Sequence, residues 1–175
     1  MKTLIVIDMQ NDFITGPLGT KEARAIVPNV KKKIEEYFKC GDQIIFTRDT
    51  HRGGYFESLE GRKLPVAHCM KFSKGWDITD ELIEYSRSYS NVDVINKFTF
   101  GYNNWDYWCD EINGDIELVG LCTDICVVSN ALILKSIFPE QEIIVDASCC
   151  AGTTPENHKA ALQVMKCCQI NVIGE

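Results

Sequence analysis

The sequence predicts a three-layer α/β/α domain built on a six-stranded, mainly parallel sheet. Short, continuous apolar runs recur along the chain, the pattern of strands buried on both faces. Between most of them lie segments with helical periodicity or helix-start signals. That alternation implies right-handed crossovers and a parallel sheet with helices on both sides. The chain has 175 residues, enough for one full core. No repeat, linker or low-complexity segment interrupts it, so a single domain over 1–175 is expected.

The first strand is read at 4–7, an all-apolar run ended by Asp8, and 9–20 follows as a loop with Gly16, Pro17 and Gly19. A helix is expected over 28–39. Pro28 would sit in its first turn, Val30, Ile34, Tyr37 and Phe38 would form one face, and Gly41 would stop it. The second strand is 43–47. Residues 48–76, with four glycines and one proline, read as a long loop, and such loops tend to carry function. A short helix capped by Thr79 is expected over 79–85, and the third strand over 92–95, leading into Asn96 and Lys97. An aromatic-rich helix is expected over 104–112. The fourth strand is 118–121, with a helix behind it at 125–138, and the fifth is 143–145, ended by Asp146. Thr153 or Thr154 then caps a helix with Pro155 in its first turn that runs to about 168. A sixth strand at 170–173 closes the sheet.

Composition removes several function classes. The net charge is −7 with a pI near 5.0, which argues against a nucleic-acid partner or an anionic membrane surface. No apolar run reaches the ~18 residues of a membrane span, and the start reads as a core strand rather than a signal peptide. The cysteine count is nine, an odd number, and two pairs are adjacent in sequence and poorly placed to bond to each other. Free thiols in a reducing cytoplasm are therefore expected. No C-x-x-C occurs, so neither a zinc ribbon nor a thioredoxin-type motif is indicated.

In open parallel sheets, ligands collect outside the carboxyl ends of the strands. There the first strand delivers Asp8, the second Arg48 and Asp49, the third Lys97, and the fourth leads to Cys126. Cys126 falls in the first turn of a helix, where free N–H groups and the helix dipole favour an anion, so a lowered thiol pKa is expected. Taken singly, each residue has a plainer reading: Cys126 as a buried apolar cysteine, Asp8 as a loop cap, Lys97 as a solvated strand end. Together they form a nucleophilic set of acid, cation and thiol.

The motifs D-M-Q-N-D-F at Asp8, G-L-C-T-D-I-C-V at 120–127, V-D-A at 145–147 and T-x-E-x-H from Thr154 to His158 resemble the isochorismatase-like cysteine hydrolases, the nicotinamidase branch in particular. The resemblance spans 4–172. It implies a catalytic triad of Asp8, Lys97 and Cys126. It also implies a cis peptide at Leu121–Cys122 that turns the Cys122 N–H beside that of Cys126, making an oxyanion hole.

The long loop holds Asp49-Thr50-His51 and later His68. On its own, D-x-H is a weak metal pattern. The resemblance implies that Asp49, His51 and His68 bind a divalent ion, zinc with manganese or iron as alternatives, joined by Glu60, with Glu57 as second choice. The ion would hold a ring nitrogen of the substrate and place its amide over Cys126, with no organic cofactor. Isochorismatases, which cleave a vinyl ether, generally lack this metal set. The branch often carries an aromatic residue three positions before the last metal histidine, where this chain has Pro65. Phe13 is expected in the pocket wall with Phe100, and Phe98, Tyr102 or Trp105 as further candidates.

The expected function is hydrolysis of a small, nicotinamide-like carboxamide to acid and ammonia through a thioester, in a cytoplasmic enzyme. Two alternatives stay open: a related hydrolase acting on an N-carbamoyl compound or another amide, and a non-enzymatic thiol redox sensor. A receiver-like signalling module fits poorly, because its phospho-acceptor position at the third strand end holds Asn96-Lys97. The resemblance implies a homo-oligomer, and the aromatic segment 102–108 is a candidate interface.

Overall fold

The structure is a computed structural model that describes residues 1–87 and 91–175. In chain order it contains β1 (Thr3–Ile7), α1 (Asn11–Ile14), α2 (Lys21–Cys40), β2 (Gln43–Asp49), α3 (Leu59–Lys63) and α4 (Ile83–Ser86). There follow β3 (Val92–Lys97), β4 (Ile116–Leu121), α5 (Val128–Ile137), β5 (Ile143–Ala151), α6 (Pro155–Cys167) and β6 (Asn171–Ile173). Single 3-10 turns occur at Tyr55–Glu57 and Trp105–Trp108, and a π-helical turn at Thr123–Val127 leads into α5. The sheet has six strands in the order β3-β2-β1-β4-β5-β6, and every pairing between neighbours is parallel.

Alternate residues of the strands serve the two faces. Leu4, Val6, Ile44, Phe46, Val119 and Leu121 pack with Ala23, Ile26, Val27, Val30 and Ile34 of α2. Ile5, Ile7, Ile45, Leu118 and Val145 face the other way, against Ala131 and Leu134 of α5 and Leu162 and Met165 of α6. Because β2 lies on one side of β1 and β4 on the other, the chain changes direction across β1. The crevice outside the carboxyl ends opens there.

Several boundaries differ from expectation. α2 begins at Lys21, and Pro28 lies inside it. Its start is set by Thr20, whose side chain accepts a hydrogen bond from the Ala23 N–H at 2.9 Å, and by burial of Ala23, Ile26 and Val27. The helix stops as expected, with Gly41 at φ +70°. The helix expected from Thr79 is shorter and starts at Ile83, because the Thr79 hydroxyl donates to Glu81 instead of capping. The helix expected over 104–112 is a single 3-10 turn. β5 runs on through Ala151, its pairing with β4 slipping between Leu118 and Gly120. The long loop contains the 3-10 turn at Tyr55 and α3. The last helix is capped by Thr154, one of the two expected residues.

A buried ionic cluster ties α2 to the sheet. Lys33 Nζ lies 2.7 Å from Glu117 Oε1 on β4 and 3.0 Å from Asp146 Oδ2 on β5. The Tyr37 hydroxyl donates to the other oxygen of Glu117 at 2.7 Å. Burial works against the charge on Lys33, but its two carboxylate partners outweigh that and raise its pKa above 10.5. Burial likewise opposes the charge on Asp146, and hydrogen bonds from Ser148 and Lys33 outweigh it, holding the carboxyl below 3.8. A raised lysine stabilises the fold below pH 10.5 and loses that effect as pH rises through its folded value. A lowered carboxyl stabilises above pH 3.8 and loses that effect as pH falls through its folded value. Lys33→Met leaves two buried carboxylates facing each other, so a loss of about 3–5 kcal/mol is expected. Denaturant titration should show the gap between wild type and variant roughly constant from neutral to moderately alkaline pH. It should narrow in acid below 3.8.

Candidate active site and metal centre

Asp8 ends β1 with φ +47°, a left-handed conformation that Asp tolerates better than most residues. Its backbone N–H donates to Thr47 Oγ1 at 3.2 Å, and the Thr47 hydroxyl donates back to Asp8 Oδ1 at 2.7 Å. The second carboxylate oxygen lies 2.6 Å from Lys97 Nζ. Lys97 is the last residue of β3 and pairs in register with Asp49, the last of β2. Its ammonium therefore reaches inward along the strand ends, donating to Cys126 Sγ at 3.4 Å and to the Thr99 carbonyl at 3.2 Å. The three residues assigned to the triad from sequence thus meet at one rim of the sheet. Asp8 and Lys97 are essentially fully buried, and Cys126 is 5% exposed.

The electrostatics overturn one expectation. Burial pushes the Cys126 thiol well above its ordinary value instead of lowering it; Lys97 opposes the shift, while Asp8 and Asp49 add to it. Burial also raises Asp8, against the pull of Lys97. Lys97 keeps its proton firmly, because Asp8, Cys126 and Asp49 together outweigh its desolvation. Burial thus makes Asp8 the more basic and the thiol the weaker acid, with Lys97 charged between them. The advantage of a helix start is too small here to offset removal from water.

Cys126 lies in the π-helical turn after β4. The Leu121–Cys122 peptide bond is cis, as the resemblance implied. The Cys122 carbonyl accepts from the N–H groups of Ile125 and Val127, both at 3.1 Å. Gly120, at φ +118°, lets β4 press against β1 here, since a Cβ would fall 2.1 Å from the Ile7 carbonyl oxygen. The late T-x-E-x-H segment braces the same turn: Thr123 Oγ1 lies 2.8 Å from His158 Nδ1. Asp124 accepts from Thr153 N–H at 2.8 Å and from its hydroxyl.

Beside this rim, Asp49, His51, Glu60 and His68 bring one ligand atom each to within 4.8 Å of one another. His51 Nε2 is 3.1 Å from Asp49 Oδ2 and 3.5 Å from Glu60 Oε1; His68 Nε2 is 3.6 Å and 3.9 Å from the same atoms. His68 Nδ1 lies 2.8 Å from the Val66 carbonyl, the outer hydrogen bond that fixes a histidine with its Nε2 lone pair inward. Two imidazoles and two carboxylates in this arrangement suit zinc or a similar divalent ion. Glu57, the second choice, lies outside the group, and its carbonyl accepts from Arg62. Gly61 lets α3 lie flat and aim Glu60 inward, because a Cβ there would sit 2.0 Å from the Tyr55 carbonyl oxygen.

A cavity of about 740 Å³ opens over Cys126 and this cluster, and Phe13, Phe98 and Phe100 are in its wall. Tyr102 and Trp105 are not; Trp105 is fully buried in the core. Pro65 is exposed and takes no part. Three supporting residues escaped sequence reasoning. Thr47 was hidden inside an apolar strand, where a lone polar residue was the available signal. Gln10, within the D-M-Q-N-D-F motif, grips Asp49 by both backbone groups, at 2.7 Å and 2.9 Å. Asn130 donates to the Cys126 carbonyl at 2.8 Å and accepts from Tyr102 N–H and Trp105 Nε1, both at 2.9 Å. That last set joins distant segments and leaves no local trace.

Fold and site together define a doubly wound α/β protein with a buried acid–ammonium–thiol set beside a four-donor metal cluster. The chain belongs to the isochorismatase family: the Isochorismatase domain matches residues 2–174. Among its relatives, a probable inactive nicotinamidase of Arabidopsis thaliana is 30% identical over 93% of this chain and 87% of its own. The crystal structure of the pyrazinamidase/nicotinamidase from Streptococcus mutans superposes with a TM-score of 0.87 at 25% identity, covering 99% of this chain and 100% of that one. The N-carbamoylsarcosine amidase from Thermoplasma acidophilum superposes with a TM-score of 0.78 at 28% identity, covering 98% and 95%. Among the described residues, no helix is long and apolar enough to cross a membrane. All nine cysteines are free.

Proposed function

We propose that the whole chain is one cysteine-hydrolase domain that cleaves a primary carboxamide to the acid and ammonia through a thioester on Cys126. The observation that carries this reading is Lys97 Nζ held 2.6 Å from Asp8 Oδ2 and 3.4 Å from the Sγ of Cys126, which lines the cavity. Asp8, raised by burial, accepts the thiol proton as sulfur attacks the carbonyl carbon. Lys97 offsets the charge that appears on sulfur. The N–H groups of Cys122 and Cys126 receive the oxyanion, a contribution of ~3–4 kcal/mol per donor. Asp8 returns the proton to the departing ammonia, then deprotonates the water that releases the acid. Asp49, His51, Glu60 and His68 would hold a divalent ion, zinc being the best match, that fixes a polar atom of the substrate; its contribution is orientation.

The inner end of the cavity presents Asp49 and Glu60, the carboxylates that would hold the ion, and Lys63 lines it at the surface. The closer superposition on the pyrazinamidase/nicotinamidase than on the N-carbamoylsarcosine amidase, TM-scores of 0.87 and 0.78, favours a carboxamide. Nine free thiols fit a reducing cytoplasm, and the likeness to the family fits a homo-oligomer.

An ammonia-release screen over small carboxamides and N-carbamoyl acids, with and without chelator, tests the reading. Neutral amides should be turned over and chelation should raise KM more than it lowers kcat. Turnover confined to N-carbamoyl acids would replace this reading, and full activity after metal removal would remove the ion from it.

A further inference from the structure

We infer that the natural substrate carries an extended apolar acyl group, larger than a single heteroaromatic ring, seated between α3 and the segment 98–100. This rests on the amidohydrolase reading and extends it to substrate class. The cavity, at about 740 Å³, lies in the range (about 300–1,000 Å³) that encloses a drug-sized ligand. A pyridine carboxamide with its amide at Cys126 would leave the outer part empty.

That outer part is apolar and open. On α3 and at its C-cap the pocket-lining residues are Leu59, Glu60, Lys63 and Leu64, the spacing of one helical face. Glu60 at the inner end joins the metal cluster. Leu59 and Leu64, 64% and 38% exposed, stand at the mouth. Across the cavity Phe98 and Phe100 are 52% and 48% exposed, and the Arg52 guanidinium lies 4.8 Å from the Phe98 ring centre. Large apolar side chains left open to water beside a buried reaction centre mark a binding surface. Their continuity with the floor at Cys126 identifies the occupant as the apolar portion of the same substrate.

The two leucines are also set in place. The Gly61 N–H donates to Ser58 Oγ at 2.9 Å, and Gly61 lies flat against the Tyr55 carbonyl. These two contacts thus aim Glu60 at the metal group and the leucines at the mouth.

The test measures kcat/KM on the metal-loaded full chain for nicotinamide and for pyridine-3-carboxamides bearing ring alkyl chains of increasing length. Each of the first few methylenes should raise kcat/KM about fourfold, the factor for burying one methylene. Leu64→Ser and Phe98→Ser should each lower the ratio of long-chain to short-chain kcat/KM at least fivefold. That ratio does not depend on the fraction of folded protein in a preparation. A flat or falling profile, with nicotinamide still turned over, overturns the inference and leaves the amidohydrolase reading standing. Release of ammonia from no member of the series overturns that reading and the inference with it.

Discussion

Replacing Cys126 by alanine is expected to abolish amide turnover, a loss on the order of 10⁶-fold by comparison with nucleophile removal in other hydrolases. Metal content and substrate affinity should persist. The separation is expected because the sulfur belongs to a different set from the metal donors: Cys126 follows β4, while Asp49, His51, Glu60 and His68 come from the end of β2 and the segment after it. The sulfur accepts one hydrogen bond from Lys97, at 3.4 Å, and its loss leaves the Asp8–Lys97 ion pair at 2.6 Å in place. Metal analysis and equilibrium binding of an unreacted amide, alongside the rate assay, check both halves. Concurrent loss of metal would mean that Cys126 supports the centre instead of acting as nucleophile.

Lys97→Met is expected to lower stability and activity together. The ammonium is buried with Asp8 at 2.6 Å, Asp49 at 3.6 Å and Cys126 at 3.4 Å. Methionine fills most of the volume but leaves the buried Asp8 carboxylate without its cation, a penalty of about 3–5 kcal/mol. For a domain of this size that lowers Tm by roughly 6–20 °C. Activity should fall a further 10²–10³-fold or so in the protein that remains folded, because the charge developing on sulfur has lost its counter-ion. Calorimetry gives the first effect, and single-turnover rates normalised to folded protein give the second. A variant with wild-type Tm would mean that the ion pair is not formed in solution.

Much of the fold was legible because strands buried on both faces have to be continuous apolar runs. Runs such as Leu4-Ile-Val-Ile admit few other readings. The misreadings share a cause, which is long-range contact overriding local pattern. Pro28 looked like a helix start, but Thr20 and the burial of Ile26 and Val27 carry α2 through it. Asp146 looked like the end of a strand, yet pairing with β4 resumes at Cys150. The aromatics at 105–108 suggested a helix, whereas Trp105 is pinned by Asn130 from α5.

The site was legible to a different degree. Which residues meet at the rim follows from strand order, so Asp8, Lys97 and Cys126 could be assembled on paper. The metal donors needed family resemblance, since nothing local brings His68 back to Asp49. The direction of the thiol's shift was misread, because a helix start is a sequence feature and burial is not. The apolar mouth was invisible, for Leu59 and Leu64 look like ordinary core residues until α3 is seen to turn them outward.

Intact-mass spectrometry after rapid acid quench, with an amide that deacylates slowly, addresses the central assignment. The account predicts a mass increase equal to the acyl group, mapped to the peptide containing Cys126 and reversed by hydroxylamine. Steady ammonia release with no adduct at any quench time, in a protein whose Cys126→Ala variant remains active, would contradict it.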